Sequence, residues 1–162
     1  MRLMVVSDSH HNYSNLEFAV KECKPDAVAH LGDCYYDAIE LQQIIPDLLI
    51  YKIRGNCDPA SYGDEEMLLN IEGVRILLTH GHRHYVKENL ALLTSRARQQ
   101  GVNLVLFGHT HNGVIVNAQD IVLMNPGQLL VHTEDRLASY GVVTIEYGKF
   151  DCGIIYLPNR AR

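Results

Sequence analysis

Five short apolar runs in this chain each stop at a polar cluster: RLMVVS, DAVAHL, LLIYKIR, VRILLT and NLVLF. The clusters that follow them are Asp8-Ser9-His10, Gly32-Asp33, Gly55-Asn56-Cys57-Asp58, His80-Gly81-His82 and Gly108-His109-Thr110-His111. Apolar runs of this length, bounded by turn residues, read as buried strands. A fold that ends strand after strand in this way collects its ligands in the crevice outside the carboxyl edge of the sheet. The spacing therefore constrains the architecture and the position of any site at the same time.

Between the strands the helical signals are clear. Leu16, Ala19, Val20 and Cys23 recur at helical spacing, with Asn12 or Ser14 as the cap and Pro25-Asp26 as the stop. A second helix is expected from Asp37 to about Ile45, ended by Pro46. The opening order β, α, β, α, β implies a parallel sheet with crossover helices. Two strands, 66–71 and 75–79, are then expected around a Glu72-Gly73 turn. A long helix from about Tyr85 to Gln100 follows, with Leu90, Leu93, Ala97 and Gln100 on one face and Gly101 as its stop. From Asn112 onward the pattern is β-rich (113–117, 121–124, 139–146, 150–156), which suggests a second sheet packed on the first. We expect a single domain over 1–162, α/β in class: a two-sheet sandwich with helices on its outer faces.

At 162 residues the chain can bury a core without staples. Its net charge of −5 and the lack of any Lys/Arg run disfavour long nucleic acid as a partner. Cys23, Cys34, Cys57 and Cys152 are scattered and form no C-x-x-C pair, so free thiols in a reducing compartment are expected. No apolar stretch approaches the ~18 residues of a membrane span, and the first strand is too short for a signal h-region. A cytoplasmic location follows as the expectation.

The clusters carry the chemistry. Asp8 and His10 are separated by one residue, so at an extended strand end both side chains can point the same way. Asp33 offers a carboxylate able to bridge two ions, Asn56 a neutral carbonyl, and His80, His109 and His111 imidazoles. Mixed nitrogen and oxygen ligation suits Mn, Fe, Co, Ni or Zn better than Ca or Mg. Two such cations with two carboxylates and a bridging hydroxide leave a net charge of about +1, suited to holding a phosphoryl group. Attack of that hydroxide on a phosphate ester is the expected reaction, with His109 and Asn56 stabilising the developing charge.

In this order, D-x-H, G-D, G-N-x-[DE], H and G-H-x-H resemble the calcineurin-like metallophosphoesterase superfamily. The resemblance runs from Asp8 to the Asn125-Pro126-Gly127 turn. The R-G-N-C-D and H-G-H forms, and the short length, are similar to its small bacterial and archaeal phosphodiesterase branch. That resemblance implies a four-layer α/β/β/α sandwich and hydrolysis of small phosphodiesters. It further implies two divalent ions, manganese first among them. Asp8, His10, Asp33 and His111 would hold one ion; Asp33 (bridging), Asn56, His80 and His109 would hold the other. Self-association to a homodimer or homotetramer is implied as well.

Two positions depart from the family pattern. Many relatives carry His after the third-motif Asn, where this chain has Cys57. Gln128 stands where relatives commonly have Ser. Cys57 is expected to line the pocket without acting as a nucleophile, His82 to touch substrate phosphate, and Asp58 to orient the third-motif loop or a neighbouring His. These three complete the candidate catalytic set with His109 and Asn56. His30 is expected to be a hydrogen-bonded core histidine, Arg54 structural, and His84 and His132 solvated. A phosphomonoesterase, a nucleotide hydrolase and a non-catalytic protein-binding scaffold on the same fold are the alternatives.

Overall fold

A computed structural model describes residues 1–130 and 137–158; His132 lies outside the described residues. The chain opens with β1 (Arg2–Val6), α1 (Tyr13–Cys23), β2 (Ala27–His30), α2 (Tyr35–Ile44) and β3 (Leu49–Lys52). β4 (Glu66–Ile71) and β5 (Val74–Thr79) follow, then α3 (Ala91–Gln100) and β6 (Leu104–Phe107). The last strands are β7 (Gly113–Ala118), β8 (Ile121–Pro126), β9 (Ser139–Glu146) and β10 (Lys149–Tyr156).

The strands form two five-stranded mixed sheets, ordered β10-β9-β1-β2-β3 and β4-β5-β6-β8-β7. Period-two alternation explains how they stack. From β1, Leu3 and Val5 enter the core between the sheets, where they join Ile76, Leu78, Leu104, Leu106 and Met124. Met4 and Val6 enter a separate core with Leu16 and Ala19 of α1 and Ala38 and Leu41 of α2. On the far side, Leu77, Val105 and Leu123 pack with Leu93 and Ala97 of α3. Three apolar layers between four layers of structure make the α/β/β/α sandwich.

The expected second sheet does not arise from the C-terminal strands alone. β9 and β10 complete the first sheet beside β1, whereas β7 and β8 complete the second. Each sheet thus takes one late hairpin. The helix expected from Tyr85 begins at Ala91 instead. Gly81 and Tyr85 both have positive φ, 96° and 52°, around a 3₁₀ turn at His82–His84. A right-handed helix cannot run through such a residue. Asn89 Oδ1 then accepts the Ala91 N–H at 2.9 Å, where the helix starts. No described helix is long and apolar enough to cross a membrane.

β1, β2 and β3 run parallel, as do β5, β6 and β8. The polar cluster that follows each of β1, β2, β3, β5 and β6 is therefore delivered to one edge of its sheet.

Candidate metal centre

The strand ends bring seven predicted side chains together: Asp8, His10, Asp33, Asn56, His80, His109 and His111. Ligand atoms of Asp8, His10, Asp33 and His111 lie within 4.8 Å of one another, and so do those of Asp33, His80 and His109. Asn56 joins the second group, its Oδ1 3.2 Å from His80 Nε2. Asp33 belongs to both groups. Two clusters sharing one carboxylate is the arrangement of donors that the family resemblance implied.

Backbone geometry makes this convergence feasible. Asp8, His10, Asp33, His109 and His111 all have positive φ, between 44° and 69°. The strand therefore turns sharply where each ligand begins, a cost that recurs at functional sites. Gly55 has to be glycine for a different reason: an added Cβ would collide with Asp33 Oδ1. The third-motif loop can thus approach Asp33 closely enough for Cys57 N–H to donate to Asp33 Oδ1 at 2.9 Å.

The donor set fits cations. Buried polar atoms ordinarily find partners, yet Asp8 Oδ1 and His10 Nε2 have no hydrogen bond among the described residues. His111 Nε2 sits 3.1 Å from Asp8 Oδ1, close but not aligned as a hydrogen bond. His80 Nε2 is 3.4 Å from Asp33 Oδ2. Atoms this close and this poorly paired are aimed at common points. His80 is fixed from behind, because its Nδ1 lies 2.8 Å from the Leu31 carbonyl. A carbonyl only accepts, so Nδ1 carries the proton and Nε2 faces the centre.

Electrostatics in the metal-free protein agree with this. Burial works to raise Asp33, but the adjacent His80 ring and the Cys57 N–H that the carboxylate accepts hold it well below the usual range. Asp8 is likewise lowered: burial opposes ionisation, and His111 and His80 overcome it. Burial disfavours the charged form of His80, yet Asp33 and Asp8 raise its pKa above 6.5. His109 moves the other way, from 6.5 to about 4, through burial and the charges of His80 and Lys87. A neutral His109 at pH 7 is a competent ligand.

These shifts carry a stability consequence for the metal-free protein. His30, His82, His84 and His109 are all lowered, chiefly by burial. The unfolded chain takes up their protons below about pH 6.5, and the folded chain does not, so each contributes stability that falls with acidification. His80, raised, acts in the opposite sense and is outnumbered. We expect urea denaturation midpoints of the metal-free protein to fall steadily from pH 7 to pH 5. A flat or rising profile would show that the fold does not hold these rings neutral.

The remaining predicted residues separate by role. Asp58 does not reach the centre. Its carboxylate accepts the backbone N–H groups of Asp33, Cys34, Tyr35 and Gly55 at 2.7–2.9 Å. It locks the second-motif loop to the third and caps α2, whose own Cys34 offers no cap. Asp58 is a positioning residue. Cys57 is exposed beside Asn56, whose Nδ2 lies 3.3 Å from its sulfur. Burial of the sulfur and the neighbouring Asp33 push its thiol up to about 11, so it is protonated at neutral pH and no nucleophile. His82 stands at the rim, its ring 5.5 Å from His80 and 6.1 Å from His109.

Outside the centre, His30 is fully buried and bonded, with Ser9 Oγ 3.2 Å from its Nε2. Arg54 pairs with Glu65 at 2.6 Å. His84 is not solvated as expected: its side chain is 12% exposed, with Nε2 3.3 Å from Glu66. Glu66 also binds Arg96 of α3, so the irregular 82–90 segment is tied back to β4. Gln128 is buried, with its Oε1 unpartnered among the described residues; nothing in the structure explains its choice there.

Sequence reasoning missed two supports. Asn125, fully buried, donates from Nδ2 to the Gly108 carbonyl at 2.7 Å and so holds the loop of His109 and His111. Beside those two histidines opens a cleft of about 700 Å³, walled by Val86, Leu90, Phe107, Val114 and Val116, with Lys87 at its edge. Its walls come from the irregular 86–90 segment, the end of β6 and β7, which only the fold of the second sheet sets side by side.

Comparisons with known proteins agree with the geometry. The chain is 33% identical over 149 residues to YsnB of Bacillus subtilis (strain 168), a probable metallophosphoesterase, covering 90% of this chain and 85% of that one. It superposes on a predicted phosphoesterase from Streptococcus pneumoniae TIGR4 with a TM-score of 0.80 at 25% identity, covering 96% and 88% of the two chains. The Zn²⁺ complex of Vps29 from Entamoeba histolytica shares the fold, with a TM-score of 0.76 at 18% identity over 96% and 99% of the chains. Residues 1–148 match the model of the calcineurin-like phosphoesterase superfamily domain, and the chain belongs to that family.

Proposed function

We propose that this protein is a binuclear metal-dependent phosphodiesterase acting on small diesters. The observation that carries the reading is Asp33, shared by two ligand groups that are otherwise complete. Asp8, His10, Asp33 and His111 would hold one divalent cation; Asp33, Asn56, His80 and His109 would hold the other. When bound, the pair supplies Lewis acidity, lowering the pKa of water and offsetting phosphoryl charge. The family resemblance favours manganese, and the mixed nitrogen and oxygen donors would equally take Ni, Fe, Co or Zn.

The chain's own residues do the rest. Asn56, His109 and His82 surround the place where a phosphoryl group would sit and orient its oxygens. The cleft of Val86, Phe107 and Val114 receives one ester arm, and Lys87 adds a positive edge. Cys57, protonated and weakly acidic, is a poor proton donor to a departing oxygen. Esters whose leaving group needs no proton are therefore favoured.

Chelation with EDTA is expected to abolish hydrolysis of an aryl phosphodiester, and added Mn²⁺ or Ni²⁺ to restore it. Activity surviving thorough chelation would overturn the proposal. The matched aryl monoester should turn over more slowly than the diester; the reverse order would favour the monoesterase reading.

The cleft and Cys57 together predict the leaving-group preference. Burying an aryl ring is worth about 2 kcal/mol, or roughly thirtyfold in kcat/KM, before any difference in leaving-group acidity. A dialkyl phosphate should fall below the aryl diester by at least that factor. Comparable kcat/KM for the two would remove both the cleft and Cys57 from the account.

The likeness to Vps29 is one of fold, and the complete ligand set here supports the hydrolase over a scaffold. The four unpaired thiols support a reducing, cytoplasmic setting. Exposed Tyr36 and Tyr85 support self-association to a dimer or tetramer, which light scattering would test.

A further inference from the structure

One residue beyond His10 and one beyond Asp33, the same two loops bring together a different donor set. His11, Cys34 and Asp37 each place a ligand atom within 4.8 Å of the other two. None of the three belongs to the groups that share Asp33.

Asp37 is the reason to take this cluster seriously. It stands on the first turn of α2 and is 1% exposed. A carboxylate so buried needs a counter-charge or full hydrogen bonding. Its Oδ2 accepts from Ser9 Oγ at 2.5 Å and from the His11 backbone N–H at 3.2 Å. Its Oδ1 has His11 Nδ1 at 3.8 Å, beyond hydrogen-bond range. Among the described residues no Lys or Arg comes within ion-pair distance of it, and His11 is its one ion-pair contact.

We propose that His11, Cys34 and Asp37 form a third cation site, for a borderline ion of the zinc class. Imidazole nitrogen, thiolate sulfur and carboxylate oxygen are the mixed donors such ions take, and the sulfur selects against Ca²⁺ and Mg²⁺. Binding displaces the Cys34 thiol proton to solvent. A divalent ion with one thiolate and one carboxylate is then neutral, which suits a half-buried place. Three protein ligands leave a fourth position, open on the side of His11, whose side chain is 79% exposed. The supporting shell is already in place: Ser9 Oγ bonds Asp37 and lies 3.2 Å from His30 Nε2. Because His11 follows His10 and Cys34 follows Asp33, an ion here would cross-link the loops that bear the first group of ligands.

Sulfur ligation gives the site its own signature. The metal-free, reduced protein should be titrated with Co²⁺ and followed in the near ultraviolet, where thiolate-to-cobalt charge transfer absorbs. The Asp33 centre, ligated by nitrogen and oxygen, contributes no such band. We expect the band in wild type and in Cys57→Ser, its loss in Cys34→Ser, and a tenfold or greater weakening in Asp37→Asn, which keeps the side-chain shape. Zn²⁺ should bleach it. No charge-transfer band in wild type, with cobalt bound to the protein, would overturn the proposal. A band that survives Cys34→Ser and disappears in Cys57→Ser would overturn it too, by giving the thiolate to Cys57. The readout is independent of turnover, so it separates this site from the hydrolase reading.

Discussion

Asp33→Asn is expected to give a folded protein that hydrolyses aryl phosphodiesters on the order of 10³-fold more slowly than wild type. The substitution is chosen for what it keeps. An Asn carbonyl can still accept the Cys57 N–H that Asp33 Oδ1 accepts at 2.9 Å, and the side chain fills the same space against Gly55. What it removes is the one negative charge common to both ligand groups. Metal analysis of the purified variant should show loss of at least one ion per chain, with circular dichroism unchanged. A variant that retains full metal content and turnover would show that Asp33 bridges nothing.

The second large effect is expected at a residue that touches no metal. Asp58→Ala deletes the acceptor of four backbone N–H groups, which belong to Asp33, Cys34, Tyr35 and Gly55. Charge-assisted bonds of this kind contribute strongly, although some of the freed donors would find water. A loss of about 3–5 kcal/mol follows, or a fall in Tm of roughly 6–20 °C for a chain of this size. The same change should weaken metal binding by roughly 10–100-fold, as loss of an orienting partner does. Asp58→Asn, which keeps one acceptor oxygen, should fall between the two. Equal stability of Asp58→Ala and wild type would show the clamp to be dispensable.

The site was more legible in the sequence than the packing around it. Strand ends at Asp8, Asp33, Asn56, His80 and His109 announced themselves because each apolar run is wholly or partly buried and each polar cluster interrupts it. That signal is local. The partner of a strand is not local, and β9 shows why. Its alternation marks it as a strand, but nothing in residues 139–146 says that it lies against β1 rather than beside β8. Residues 85–90 failed for a related reason. Their composition suits a helix, whereas the positive φ at Tyr85 and the tether of His84 to Glu66 are tertiary facts. The His11–Cys34–Asp37 cluster was hidden by its neighbours, since each of its members stands close to a more conspicuous motif.

The position of β9 has a consequence for how the protein is made. β1 is held on one side by β2 and on the other by β9, which pairs Val5 with Gly141. A nascent chain therefore carries an apolar strand with one open edge until residues 139–146 have emerged from the ribosome. The strand that presents Asp8 is thus synthesised well over a hundred residues before the strand that secures its second edge. A premature stop before residue 139 would leave that edge unpaired, and such an edge recruits other chains. Truncation products should appear as insoluble protein, not as partly active fragments.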